Sequence, residues 1–111
     1  MAWPLRFGPD GRFRIVQLTG LLPVHQRGMF AAFHERGDVI GTFCGHDHVN
    51  DFEATLHGVR LCYGRASGFG GYGRSGFLRG VRVIELREGR RDFATWLRLE
   101  DGRHVTQPRR R

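Results

Sequence analysis

Val39-Ile40-Gly41-Thr42-Phe43-Cys44-Gly45-His46-Asp47-His48-Val49-Asn50-Asp51 is the stretch from which the rest of the chain is read. A short, β-rich apolar run stops at a glycine, and two histidines follow at i and i+2. Side chains two apart on an extended chain point to the same side. That predicts a cleft shared by His46 and His48, with Asp47 facing away. Two imidazoles so placed suit a single metal ion, or two ions ~3.5–4 Å apart. Gly45 is the expected turning point, because it brings no side chain into the bend. Asn50 and Asp51 follow closely enough to hold the outer ring nitrogens, the contacts that fix a liganding tautomer. Ligand type also admits a Cys44/His46/His48/Cys62 zinc site, although that spacing matches no compact zinc pattern.

Working outward, residues 12–19 alternate polar and apolar around Phe13, Ile15, Val16 and Leu18, as a strand does. Pro23 can open a helix, where its missing N–H is no loss. Met29, Phe30 and Phe33, with Ala31 and Ala32, place an apolar stripe on a helix over 28–36, and Gly37 reads as its left-handed cap. Strand, helix and the strand Val39–Cys44 then form a parallel, right-handed βαβ unit. Ligands of open α/β sheets sit beyond the carboxyl ends of strands, which is where His46 and His48 fall.

Downstream the pattern becomes antiparallel. Residues 52–56 and 59–63 flank His57-Gly58, a two-residue hairpin turn with glycine second. Two further strands, 81–86 and 93–99, surround the turn at 88–91. Between these pairs lies GRASGFGGYGRSG, residues 64–76. Its Arg65 and Arg74 are candidate phosphate-binding residues, since guanidinium groups and glycine amides both suit anions. Aromatic rings among arginines also suit single-stranded nucleic acid. The competing reading is a surface connection whose aromatics pack back on the sheet. The GxxxxGK[ST] spacing of a phosphate-cradling loop is absent. Of the remaining histidines, His25 is a spare ligand candidate, whereas His34, His57 and His104 read as ordinary exposed side chains.

With 111 residues, 40% of them hydrophobic and nine of them Phe, the chain holds one small packed domain. The formal net charge of +7, three of it from Arg109, Arg110 and Arg111, favours anionic partners. Phosphate esters, nucleic acid and acidic surfaces all remain open on that ground. Two cysteines make no disulfide framework. No long apolar run occurs, so neither a leader nor a membrane span is expected, and the expected location is the cytoplasm.

The block Gly45-His46-Asp47-His48 resembles the Gly-His-x-His motif of the calcineurin-like metallophosphoesterase superfamily. GHDHVNDF, followed by LCYGRASGFGGYG, VRVIEL and TWLRLEDG, is similar to its purple-acid-phosphatase-like branch, which includes proteins called probable inactive purple acid phosphatases. The resemblance runs over about residues 28–102, and residues 5–19 resemble the first strand of the same domain. It implies a mixed α/β fold, with part of a metallophosphoesterase sandwich: one βαβ unit, then an antiparallel hairpin and meander. A single truncated domain over 1–102 would precede a basic tail over 103–111, with the family's central region missing.

By that resemblance His46 would ligate one ion and His48 the other of a dinuclear iron, manganese or zinc centre that hydrolyses phosphate esters. The family's Asp-x-His, Gly-Asp and Gly-Asn-His motifs have no match. Gly20 stands near the expected aspartate, and Asp38, Asp47 and Asp51 occupy no family ligand position. The expectation is therefore a phosphatase-type hydrolase domain that is weakly active or inactive. A small basic nucleic-acid-binding module and a non-catalytic interaction remnant with an exposed sheet edge are the alternatives.

Overall fold

The computed structural model describes residues 2–7, 11–18 and 27–107. The readings of Gly20, Pro23, His25 and the terminal arginines lie outside these residues. Strands β1 (Ala2–Phe7), β2 (Gly11–Leu18), β3 (Val39–Cys44), β4 (Glu53–Leu56) and β5 (Val59–Tyr63) form one sheet in the order β1-β2-β3-β5-β4. Strands β6 (Gly80–Leu86), β7 (Phe93–Leu99) and β8 (His104–Val105) form a second, antiparallel sheet. The single described helix, α1 (Arg27–Arg36), lies between β2 and β3 in the chain.

The expected parallel unit is present: β2 pairs with β3 in parallel, up to Leu18 opposite Cys44. The expected hairpin is present too. β4 and β5 pair antiparallel through a turn in which His57 (φ 47°) and Gly58 (φ 79°) both take positive φ. Two positive φ values match the twist of the flanking strands, and this turn type selects glycine at the second place. The sequence did not reveal that β5, rather than β4, lies parallel beside β3, with Cys44 opposite Tyr63.

Strand β3 is covered on both faces, as its unbroken apolar run requires. On one face Val39 and Val59 pack with Phe30, Phe33 and Leu61, which docks α1. On the other, Ile40, Phe43, Cys62 and Phe93 form a cluster joined by Leu86. That second cluster binds the two sheets together. A Cβ on Gly41 would stand 2.6 Å from the Phe93 ring, so glycine sets how closely they approach. Helix α1 ends as expected: Gly37 (φ 74°) donates its N–H to the Phe33 carbonyl at 3.2 Å.

A charged cluster lies in the same joint. Glu53, Arg60 and Thr95 are buried. Arg60 donates to Glu53 and to the Phe93 carbonyl, with its guanidinium 4.0 Å from the Phe93 ring centre. Arg82 comes across from β6. It donates to the Tyr63 carbonyl (2.7 Å), the Asp51 carbonyl (2.9 Å) and Gln107 Oε1 (2.7 Å), and its charge lies 3.9 Å from Glu53.

Within the stretch read from sequence as a polar tail, His104 and Val105 add a short strand to the second sheet. Val105 pairs with Leu97 and His104 with Arg98, and Trp96 stacks on His104. Among the described residues no helix is long and apolar enough to cross a membrane.

Candidate metal-binding cleft

Parallel strands β2, β3 and β5 end at one edge of the sheet, and the backbone that leaves β3 there carries both histidines. The Gly64 N–H donates to the Cys44 carbonyl at 2.7 Å, bringing the start of the glycine-rich loop beside the end of β3. The extended conformation stops at that point. His46 takes φ 106°, and a turn follows at 48–49. The bend is thus made by a residue bearing a side chain and not by Gly45. Positive φ at a non-glycine residue costs on the order of 1–3 kcal/mol and persists where its surroundings hold it.

His46 and His48 both border one cleft, and this turn rather than strand periodicity puts them there. With Asp47, Arg65, Gly70 and Gly71 they line an open cleft of ≈ 450 Å³. Asp47 takes its place through its backbone, whose N–H donates to Tyr63 Oη at 3.1 Å, while its Oδ1 accepts from the Val49 N–H.

His48 is clamped by Tyr72, which lies in the glycine-rich loop. The two rings stack with centroids 4.1 Å apart and planes 3° from parallel. The His48 N–H donates to Tyr72 Oη at 3.1 Å, and His48 Nδ1 lies 2.8 Å from the Tyr72 carbonyl. A carbonyl only accepts, so in the neutral ring the proton sits on Nδ1 and Nε2 keeps its lone pair for a ligand. A Cβ on Gly71 would overlap the His48 ring, so the loop can lie this close only with glycine there. Arg79 Nη2 donates to the Gly71 and Tyr72 carbonyls (3.1 and 3.2 Å) and pins the clamp. Sequence reasoning missed Tyr72 and Arg79. The density of glycine around an aromatic residue was the only signal of a close approach.

The other candidate residues are occupied differently. Asn50 Oδ1 accepts from the Phe52 N–H at 3.2 Å, and Asp51 pairs with Arg65. The outer nitrogen of His48 is therefore held by the Tyr72 carbonyl, not by Asn50 or Asp51. Arg65 faces the cleft, but its guanidinium is engaged with Asp51, the Leu78 carbonyl (2.7 Å) and the Phe77 ring (3.4 Å). Arg74 lies 5.1 Å from that ring centre and is not among the cleft-lining residues. Phe69 and Tyr72 stay exposed, at 74% and 59%, so the loop aromatics do not pack back into the sheet.

Two imidazoles border the cleft, with a defined tautomer at His48. Among the described residues, no group of three or more His, Cys, Asp or Glu side chains could hold an ion. The described residues do not fit a dinuclear centre, which needs a bridging carboxylate. Nor is the Cys44/Cys62 zinc set assembled. Cys44 Sγ donates to the Cys62 carbonyl at 3.7 Å, and burial, helped by Glu53, pushes the Cys62 thiol up to about 11. Burial also raises Cys44, and both shifts disfavour the thiolate that binds zinc.

Comparison with known proteins finds relatives by sequence. The chain is 47% identical over 91 residues to "Probable inactive purple acid phosphatase 14" of Arabidopsis thaliana, covering 74% of this chain and 23% of that protein. It is 44% identical to "Probable inactive purple acid phosphatase 28" and 42% identical to "Probable inactive purple acid phosphatase 29" of the same plant, over 68% and 67% of this chain. It spans between a fifth and a quarter of the length of these relatives, 21–23%. No family model matches, and no solved structure matches.

Proposed function

We propose that this chain, whose sequence belongs with the purple-acid-phosphatase-like branch of the metallophosphoesterases, carries the His-x-His portion of a phosphoesterase metal site and binds a divalent transition ion without turning over substrate on its own. The observation that carries the reading is the His48–Tyr72 clamp. It fixes the Nδ1–H tautomer and leaves Nε2 at the wall of a cleft that His46 also lines. Imidazole pairs select zinc, copper, nickel or iron over magnesium and calcium. A bound ion would supply Lewis-acid polarisation of a phosphoryl oxygen. The chain's own contributions are orientation of His48 and a glycine-lined opening next to it. The "inactive" in the names of the three relatives accords with the absence of a matched carboxylate here.

The test is a zinc or manganese titration followed by NMR, with an aryl phosphate assay on the same sample. The ring signals of His46, His48 and Tyr72 should move together on metal addition. The His46→Ala/His48→Ala variant should abolish the shift at Tyr72, and aryl phosphate hydrolysis should stay at background. Unmoved His46 and His48 signals in wild type would remove the site. Turnover abolished by His48→Ala would overturn the inactive reading.

A further inference from the structure

A second pair of imidazoles lies away from the cleft, where the last turn of α1 meets the β4–β5 turn. His34 and His57 have ring centroids 5.4 Å apart with planes tilted by 43°. We propose that His34 and His57 form a two-histidine clamp for a borderline divalent cation, zinc, nickel or copper, that ties α1 to the β4–β5 hairpin.

The geometry fits such an ion. A metal–nitrogen bond of ~2.1 Å puts the metal about 3.2 Å from each ring centre. With a nitrogen of each ring turned toward a common point, two centres 5.4 Å apart would subtend roughly 115° there, close to the tetrahedral angle that zinc adopts. One aromatic ring neighbours both histidines. The Phe30 ring lies parallel to His34 at 6.5 Å, one helical turn earlier on α1, and 6.4 Å from His57. His57 is fixed by the positive φ of the type I′ turn, so its side-chain direction follows from the hairpin. Val39 and Val59, with Phe30, Phe33 and Leu61, keep α1 against the sheet and so hold the two rings in register.

Both histidines are exposed, so water can complete the coordination shell. An all-nitrogen pair with water discriminates against magnesium and calcium, which prefer oxygen ligands. The helix it would fasten needs fastening: Phe30 and Phe33 are only partly buried and Met29 is 38% exposed. An ion shared by α1 and the hairpin links two elements that otherwise meet through a few apolar side chains.

The experiment is a zinc titration of the full chain carrying His46→Ala and His48→Ala, which separates this pair from the cleft. Expected are one binding event by calorimetry, movement of the His34 and His57 ring signals, and a higher melting temperature in zinc but not in magnesium. Adding His34→Gln and His57→Asn should abolish all three; Asn tolerates the positive φ of the turn, so the fold is kept. Circular dichroism without metal should show the same helix content before and after these changes. Zinc-induced stabilisation that survives His34→Gln and His57→Asn would overturn the proposal, as would unmoved ring signals.

Discussion

Arg60 and Arg82 lie in the joint between the sheets, Arg60 at 8% exposure and the Arg82 side chain at 4%. His46 and His48 lie a few residues beyond the same sheet's edge, on an open cleft. Both regions are polar, and they use polarity in opposite ways. In the joint, each guanidinium gives its hydrogens to a carboxylate, to carbonyls or to a side-chain oxygen, as burial demands. In the cleft, one ring nitrogen of His48 is tied and the other keeps its lone pair. Saturated polar groups hold the two sheets in place; the unsaturated lone pair beside them is what can act on a ligand.

The largest expected effect comes from breaking the saturated region. Glu53→Gln leaves Arg60 and Arg82 buried without their carboxylate. Removing one partner of a buried ion pair costs about 3–5 kcal/mol, and urea unfolding should read a loss of that size. A loss below ~1 kcal/mol would show that the carbonyl acceptors alone suffice, and the contrast between the regions would weaken.

Gly41→Ala is next. Its Cβ would meet the Phe93 ring at 2.6 Å, and overpacking of this kind costs about 1–3 kcal/mol. Phe93→Leu in the same chain should recover part of the loss, because it withdraws the ring. Full additivity of the two losses would show that the sheets do not depend on this approach.

The third test uses pH. The Cys62 thiol is raised from 9.0 to about 11 in the folded chain, chiefly by burial. A thiol with a raised folded pKa stabilises the fold fully below 9 and loses that contribution as pH rises toward 11. Thermal stability should therefore fall between pH 9 and 11, by no more than about 2–3 kcal/mol. Cys62→Ala should flatten that slope, and a slope unchanged by it would assign the loss to other groups.

Much of this contrast was hidden in the sequence, for identifiable reasons. The βαβ unit was legible because Val39–Cys44 is an apolar run and the Phe30/Phe33 stripe has helical spacing, both local signals. The hairpin was legible because His57-Gly58 prescribes its own turn. The joint was not: a charged residue on a strand carries no local signal of burial, and only the stacking of one sheet on another makes Glu53, Arg60 and Arg82 partners. His46 and His48 were visible as a pair, but extended periodicity implied the wrong route to their meeting. The bend at His46 and the clamp by Tyr72, 24 residues downstream of His48, are tertiary facts that no window around the motif contains.

The smallest expected effect probes the clamp itself. Tyr72→Phe removes the hydroxyl that reaches the His48 N–H at 3.1 Å and the His46 carbonyl at 3.4 Å. It keeps the ring stack and the backbone carbonyl that accepts from His48 Nδ1. Those contacts are exposed, so stability should change by less than about 1 kcal/mol. The tautomer should survive, because the carbonyl and not the hydroxyl selects it, and ¹⁵N shifts of the His48 ring should still report a proton on Nδ1. Metal affinity should fall only a few-fold, as the freed turn at 46–48 samples more conformations. Gly71→Ala should do more, since its Cβ overlaps the ring and must push the loop away from His48. If Tyr72→Phe instead moved the proton to Nε2, the hydroxyl would be the group that fixes the tautomer. If Gly71→Ala left both ring shifts and affinity unchanged, the loop would not position His48 at all, and the cleft would owe its free nitrogen to the turn alone.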